Sequence, residues 1–170
     1  MATINDLDEI TAVEAVCFPA AEAAGREAFQ SRLEIFSNHF WLLEEEVNVG
    51  ENDAEGSGRI VSIINGMATD IPVLVDEMFA DASMHKEDGE WQMIFGVETL
   101  PEYRRQGCAK MLMEQVIADT RLAGRKGLML TCKEALIPFY EQFGYINEGI
   151  SMSKHGGAVW YDMRLTFEEL

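Results

Sequence analysis

Thr99-Leu100-Pro101-Glu102-Tyr103-Arg104-Arg105-Gln106-Gly107-Cys108-Ala109 is the stretch of sequence that decides the fold. It follows Trp91 to Thr99, whose apolar composition predicts a strand buried on both faces, and it leads into Cys108 to Leu122, where apolar residues recur at helical spacing. Backbone N–H groups at the start of a helix lack intrahelical partners, and the helix dipole favours anions there. We therefore interpret Arg104 to Lys110 as an anion cradle that would fit an extended diphosphate.

Several residues of this cradle suit the approach of a phosphate. Gly107 allows the backbone to come close to a ligand. Ala109 has a small side chain, so it leaves space for the ligand at the first helical turn. Arg104 and Arg105 can add charge-assisted hydrogen bonds. Taken alone, R-x-x-G-x-A is equally compatible with a solvated, basic helix start. The P-loop pattern and the dinucleotide-binding pattern are both absent from the sequence, which weakens the two common nucleotide-binding alternatives.

The amino-acid composition limits the classes of protein to which this chain can belong. The chain has 170 residues, of which 48% are hydrophobic and 25% charged, and this predicts a single domain over residues 1–170. A net charge of -17 repels nucleic acid and anionic membranes, so neither is expected as a partner. The chain lacks an apolar run of the ~20 residues that span a membrane and any export signal, which predicts a cytoplasmic protein. Cysteine and histidine spacing indicates no metal site.

Periodicity and turn residues predict alternating elements. The pattern predicts helices over Leu7–Cys17, Arg26–Phe36, Cys108–Leu122 and Ala135–Phe143, and strands over Phe40–Val47, Arg59–Ala68, Trp91–Thr99, Leu128–Cys132, Tyr145–Ser153 and Ala158–Thr166. A polar segment, Asn48 to Gly58, would form a long hairpin tip, and Thr69 to Gly89 is interpreted as an insertion or lid. This order predicts an α/β fold with a mixed sheet and helices on both faces.

A second motif lies downstream of the cradle. Ala135-Leu136-Ile137-Pro138-Phe139-Tyr140-Glu141-Gln142-Phe143-Gly144-Tyr145 resembles A-x-x-F-Y-x-x-x-G-F/Y, a signature of the GNAT acetyltransferases. The segment Thr99 to Ala109 resembles the acetyl-CoA loop of the same family. Two motifs at the family's usual distance make the resemblance specific. The run C-K-E-A-L-I-P-F-Y, from Cys132 to Tyr140, is similar to the arylalkylamine N-acetyltransferase subgroup.

The resemblance implies how acetyl-CoA would be held. The central sheet would have six to seven strands and would splay between Trp91–Thr99 and Leu128–Cys132, with pantetheine in the gap. The residues expected to contact the co-substrate are Val97, Glu98, Thr99, Arg104, Arg105, Gln106, Gly107, Cys108, Ala109, Lys110 and Tyr140, the strand residues and the cradle acting mainly through their backbone.

The resemblance also implies a general acid, whereas the general base is open. Tyr140 matches the tyrosine that protonates the departing thiolate in many members, and an aromatic core residue is the other interpretation of it. Met93 and Phe95 occupy the positions where the arylalkylamine subgroup carries a pair of histidines and some protein acetyltransferases carry a glutamate, and neither can take a proton. The remaining candidates are Glu98, Glu90, His85, Asp76 and Glu77.

Several of these side chains have structural interpretations. Glu98 would face the site only across a bulge, because strand residues alternate between faces. His85 and His155 lie in polar segments and are expected to be solvated, and His39 gives no functional signal. Cys108 or Cys132 could form an acyl-enzyme, but neither has a histidine at recognisable spacing.

The sequence indicates less about the acceptor amine than about the acetyl-CoA donor. Val73 to Phe79, with Trp91, Met93 and Phe95, suggests a pocket for an aryl or hydrophobic amine, and these strand residues could equally belong to the core. A small-molecule amine and a basic peptide are both chemically open as acceptors, and a homodimer is compatible with the sequence. Direct attack by the amine in a ternary complex is the leading hypothesis. The alternatives are an acetyl-CoA-binding regulatory module without efficient turnover and a general nucleotide-binding domain.

Overall fold

The computed structural model describes residues 1–46 and 58–168. The helices are α1 (Leu7–Cys17), α2 (Arg26–Phe36), α3 (Glu77–Ala80), α4 (Cys108–Leu122) and α5 (Ile137–Glu141), and the strands are β1 (Phe40–Glu45), β2 (Arg59–Thr69), β3 (Trp91–Thr99), β4 (Gly127–Cys132), β5 (Ile146–Ile150) and β6 (Tyr161–Thr166). The order of these elements matches the prediction, with α3 added inside the Thr69 to Gly89 segment. The hairpin tip predicted between β1 and β2 lies outside the described residues except for Gly58.

One six-stranded mixed sheet has the strand order β1-β2-β3-β4-β6-β5. Only β3 and β4 run parallel among the neighbouring strands of this sheet, and their pairing covers Trp91 to Met93 on β3 and Gly127 to Met129 on β4. Beyond Met93 the two strands separate. The splayed α/β sheet predicted from the family resemblance is therefore confirmed.

Each face of the sheet carries its own hydrophobic core. Helices α1 and α2 cover one face, where Ile10, Phe29 and Phe36 are fully buried. Helix α4 covers the other face, where Met113 and Val116 are fully buried. Burial of apolar side chains on both faces explains why β3 is apolar along most of its length.

A β-bulge in β3 changes which side chains face α1 and α2. Asn65 of β2 pairs with Gly96 of β3, whereas the next residue, Gly66, pairs with Ile94, so Phe95 is the extra residue. A Cβ atom at Gly66 would lie 1.7 Å from the carbonyl oxygen of Met93, which shows how closely the two backbones approach there. An extra residue reverses the alternation beyond it.

The C-terminal elements are shorter than predicted. The segment predicted as a helix from Ala135 to Phe143 begins as a 3-10 turn over Glu134–Leu136 before α5. Strand β5 ends at Ile150, and Ser153 Oγ in the β5–β6 connection donates a hydrogen bond to Asp76 Oδ1 (2.5 Å). Among the described residues, no helix combines the length and the apolar composition needed to cross a membrane.

Candidate active site

The cradle lies at the carboxyl end of β3, between that strand and α4. Arg105 (φ 60°) and Gly107 (φ 84°) both adopt the left-handed conformation, and Gly107 is the N-cap of α4. This backbone curls so that successive N–H groups can point at one anion. The first helical hydrogen bond runs from Met111 N to Gly107 O, which leaves the N–H groups of the first turn available.

The side chains of the cradle are mostly exposed. Arg105, Gln106 and Lys110 face solvent, whereas Cys108 and Ala109 are half-buried. Arg104 is turned back, because its Nε donates to the carbonyl oxygen of Thr99 (3.0 Å). The backbone is thus better placed than the Arg104 side chain to hold a diphosphate.

A cavity of about 380 Å³ opens where β3 and β4 separate. Ile94 to Val97 of β3 and Leu130 to Cys132 of β4 form two of its walls. Strand edges that have parted expose backbone hydrogen-bonding groups that a ligand can satisfy. Ligands in open α/β sheets bind beyond the carboxyl ends of the strands, and the cradle lies at that end.

Of the three strand residues predicted to contact the co-substrate, only Val97 lines this cavity. The Thr99 carbonyl already accepts from Arg104 Nε and, at 3.4 Å, from Cys17 Sγ. The carboxyl group of Glu98 is directed toward Arg32 of α2, on the face of the sheet that α1 and α2 cover. Val97 therefore lies on the cavity wall, whereas Glu98 lies beside Arg32.

Tyr140 lines the cavity from α5 and is 5% exposed. Its ring packs edge-on against those of Phe139 and Tyr145. Burial raises its pKa far above the usual value for a tyrosine, with a further contribution from Cys132, so the phenol keeps its proton at neutral pH. Within the described part of the chain, its hydroxyl has no hydrogen-bond partner. A protonated hydroxyl beside the splayed strands can serve as a proton donor.

The cysteines differ in their access to the cavity. Cys132 lines it, and burial raises its pKa to about 11, so this thiol is not a nucleophilic thiolate at neutral pH. Cys108 lies in the cradle and Cys17 on α1. Cysteine attack on the thioester finds no support in this geometry.

Most candidate bases lie away from the cavity. Glu90 is exposed and pairs with Lys126 (2.7 Å), and Glu77 is also exposed. His85 packs against Phe36 outside the cavity. Asp76 does line the cavity, but its two oxygens accept from Ser153 Oγ (2.5 Å) and Lys154 N (3.0 Å).

A buried charged cluster beside the cavity was not found from the sequence. Its members are Glu14 of α1, Arg32 of α2, Asn65 of β2 and Glu98 of β3, each 5% exposed or less. Arg32 Nη1 donates to Asn65 Oδ1 (3.1 Å), and its Nη2 donates to the Phe79 carbonyl (2.9 Å). Glu14, Arg32 and Asn65 reach the cavity wall. Only folding brings these positions together, since they are distant in sequence.

Aromatic side chains form another wall of the cavity. Phe79 lies 4.9 Å from Phe95 and 5.0 Å from His155, ring centre to ring centre. Trp160 also lines the cavity. His155 was expected to be solvated, and that expectation was wrong: its Nε2 donates to the Glu22 carbonyl (2.8 Å) while its ring stacks on Phe79.

The apolar pocket predicted from the sequence is only partly present. Phe79 and Phe95 do line the cavity, whereas Met93 is fully buried in the core and Trp91 is 8% exposed within it. Val73 is 44% exposed and lies outside the cavity. Phe18 and Trp160 also line the cavity, although the sequence did not indicate a role for either residue.

A second group of histidines lies apart from this cavity. Glu87 Oε2 is 3.1 Å from both His39 Nε2 and His85 Nε2, although the two histidines are 46 positions apart in sequence. Both histidine side chains are nearly buried, so the predicted solvation of His85 was wrong. Ala68 N–H donates to His85 Nδ1 (3.2 Å), which leaves the proton on Nε2. That nitrogen then donates to Glu87.

Known proteins resemble this chain in sequence and in fold. Residues 37–147 match the acetyltransferase (GNAT) domain. This chain belongs to the GNAT acetyltransferase family. Serotonin N-acetyltransferase from Mesocricetus auratus is 28% identical over 109 residues, which are 63% of this chain. The matched region is 49% of that protein, so the GNAT chain spans about half the length of this relative.

Solved structures share the fold of this GNAT protein. The GphF GNAT-like decarboxylase in complex with isobutyryl-CoA superposes with a TM-score of 0.77 at 19% identity, covering 97% of this chain and 96% of that chain. A GNAT family acetyltransferase from Brucella melitensis in complex with acetyl-CoA has a TM-score of 0.55 at 16% identity, covering 99% and 86%. At such identities the similarity establishes the fold.

Proposed function

We propose that this GNAT protein transfers the acetyl group of acetyl-CoA to a primary amine, which attacks directly within a ternary complex. The observation that carries the proposal is the position of the cavity. It lies where β3 and β4 part, and Val97 and Tyr140 both line it, while the cradle begins at the carboxyl end of β3. Phosphate binding and acyl transfer would then occur along one continuous path.

The donor side suits coenzyme A on chemical grounds. The cradle offers free N–H groups at the start of a 15-residue helix for the pyrophosphate. The separated edges of β3 and β4 offer backbone donors and acceptors for the amide groups of pantetheine. In the solved relatives described above, GNAT folds bind isobutyryl-CoA and acetyl-CoA, which supports the same class of donor here.

Tyr140 is the proposed general acid. When the amine displaces the acyl group, the C–S bond breaks and the sulfur needs a proton. Because burial holds the phenol in its protonated form, Tyr140 can supply that proton and recover it from the amine nitrogen. The phenol would therefore act as a relay rather than as a consumed acid.

The cavity walls favour a cationic amine with an aromatic or hydrophobic group. Phe79, Phe95 and Trp160 provide apolar faces, and Glu14 brings a buried carboxyl group to the same space. The resemblance to a serotonin N-acetyltransferase supports the same class of acceptor. A carboxylate-bearing acyl group is disfavoured, because Arg32 is already accompanied by two glutamates.

Steady-state turnover tests the proposal. Thiol release from acetyl-CoA is followed with a panel of arylalkylamines, alkylamines and basic peptides, and the acetylated product is identified by mass spectrometry. Calorimetry with CoA measures donor binding separately, and ATP and NAD serve as control ligands. We expect CoA to bind and at least one arylalkylamine to be acetylated. CoA binding with only background hydrolysis across the panel would instead indicate a regulatory module.

A further inference from the structure

We propose that Glu14 accepts the proton of the acceptor amine and that Glu98 is the positioning residue that holds Glu14 in place. This inference rests on the proposed function, because it supplies the base that amine acetylation requires. An alkyl ammonium group has a pKa of ~10 and must lose a proton before its nitrogen can attack. Met93 and Phe95 cannot take that proton.

Glu14 has the access and the chemistry of a base. It lines the cavity from α1, and one of its oxygens, Oε1, accepts from Ala24 N (2.8 Å). The other oxygen, Oε2, is buried and has no partner among residues 1–46 and 58–168. A buried, unpaired carboxylate oxygen is costly, and an ammonium ion or a proton would satisfy it.

Glu98 lies directly behind Glu14. The bulge at Phe95 turns Glu98 toward α1 and α2, where its side chain comes within hydrogen-bonding range of Glu14. Its Oε2 is also buried without a partner in the part of the chain that the structure describes. A single proton on Glu98, donated to Glu14, would give both of these unpaired oxygens a partner.

The surrounding charges keep that proton on Glu98. Burial raises the pKa of Glu98 well above its usual value, and Glu14 and Cys17 raise it further, whereas Arg32 lowers it. Arg32 provides one positive charge for two carboxyl groups. With Glu98 in the neutral form, the Arg32 charge has one carboxylate to balance it. Arg104 also faces this region, through its contact with Cys17.

Two other carboxyl groups on the cavity wall are less suited to the role. Asp76 has both oxygens occupied by Ser153 and Lys154, and Glu22 pairs with Lys133 (2.7 Å). His155 is the strongest rival. Because its Nε2 donates to the Glu22 carbonyl, its Nδ1 is left as an acceptor.

The proton balance of the step is complete. The ammonium group gives one proton to Glu14, and the free amine nitrogen attacks the thioester carbon. As the C–S bond breaks, the nitrogen loses a second proton, which reaches the sulfur through Tyr140. Glu14 then releases its proton to solvent, so the products are the amide, the free thiol and one proton.

The pH profile of kcat/KM in matched variants tests this assignment. Glu14→Gln should lower kcat by about 100-fold or more and remove the acid limb of the profile, while the Kd for CoA stays unchanged. Glu9→Gln is the control, since Glu9 lies on the same helix and accepts from Ile60 N (2.7 Å) outside the cavity. Loss of the acid limb in His155→Gln but not in Glu14→Gln would overturn the assignment.

Glu98 is tested by comparing an amide with a truncation. Glu98→Gln keeps a donor to Glu14 and should retain activity within about 3-fold, whereas Glu98→Ala should move the acid limb upward by about one pH unit. If Glu98→Ala does not fold, Glu98→Gln still distinguishes the two roles of Glu98. If Glu98 were itself the base, the Glu98→Gln variant would lose its activity. If the wild type turns over and the Glu14→Gln variant is equally active, this inference is overturned while the proposed function stands. Absence of wild-type turnover with every amine would overturn the proposed function as well.

Discussion

Phe95 and Glu98 both approach the Arg32 guanidinium group, although they lie three positions apart on one strand. The centre of that group lies 4.8 Å from the Phe95 ring, and its charge acts on the Glu98 carboxyl group. In a regular strand, side chains three positions apart point to opposite faces. The bulge at Phe95 removes this separation and so assembles the buried cluster beside the cavity.

The close backbone contact at the bulge gives a stability prediction. Gly66→Ala places a Cβ atom 1.7 Å from the Met93 carbonyl oxygen, so the strands must move apart. We expect the free energy of unfolding to fall by about 3 kcal/mol or more, measured by urea denaturation. Gly25→Ala is the matched control, because no atom lies within 4 Å of its added Cβ, and it should cost less than about 1 kcal/mol. Equal losses would contradict the bulge geometry.

The cradle gives a prediction about CoA affinity. Gly107→Ala and Gly124→Ala introduce the same strain, since both glycines have positive φ (84° and 71°) and open space beside them. Each should lower stability by about 1 kcal/mol. Only Gly107→Ala should weaken CoA binding, by about 10-fold or more, because it disturbs the N–H groups that start α4. Calorimetry with CoA checks this. The same affinity in both variants would place the diphosphate elsewhere.

Tyr140 and Tyr145 allow a test of the general acid with a neighbouring control. Tyr140→Phe removes the hydroxyl that faces the cavity and should lower kcat by about 100-fold, with little change in the Kd for CoA. Tyr145→Phe removes a buried hydroxyl that contacts the Met113 sulfur and does not line the cavity. We expect that variant to keep its kcat. An unchanged rate in Tyr140→Phe across the pH range would exclude Tyr140 as the acid.

Glu87 should contribute a pH-dependent part of the stability. Burial alone would raise its pKa, but hydrogen bonds from Asn38, His39 and His85 outweigh this effect and lower the pKa from 4.5 to about 2. A lowered pKa stabilises the fold above pH 4.5, and that stabilisation is lost as the pH falls from 4.5 to about 2.

Glu87→Gln should therefore be less stable than the wild type at neutral pH, and the difference should narrow as the pH falls through this window. Thermal unfolding at a series of pH values measures the difference. Glu90→Gln is the control, since Glu90 forms an exposed pair with Lys126. A difference that stays constant with pH would show that the Glu87 carboxylate is not the source of the effect.

The cradle and the arrangement of elements could be predicted because they are local. Gly107, followed by the apolar spacing of Cys108 to Leu122, defines the start of α4, and β3 begins and ends where its composition predicted. Tyr140 was found from a short motif, and its place on the cavity wall follows from the helix that carries it. The position of such a motif on a helix or strand can be predicted, because one or two neighbouring elements set its geometry.

The proposed base and the proposed acceptor wall could not be predicted, because their residues come from distant parts of the chain. Glu14 and His155 reach the cavity from distant parts of the chain, and neither belongs to a recognisable pattern. The bulge at Phe95 has no clear signal in the sequence either, because Gly66 and Gly96 each have several possible structural roles. A shift of one residue in register then reverses the expected face of Glu98.

The sequence by itself determined the family, the order of helices and strands, and the backbone cradle at Arg104 to Lys110. These features depend on local conformational preference and on hydrophobic periodicity, both of which act over a few residues. Only the tertiary structure decided that β3 and β4 separate after Met93 and that Glu14 and Glu98 share one buried site. The physical reason is that burial and charge balance depend on which distant segments pack together, and local sequence does not specify that packing.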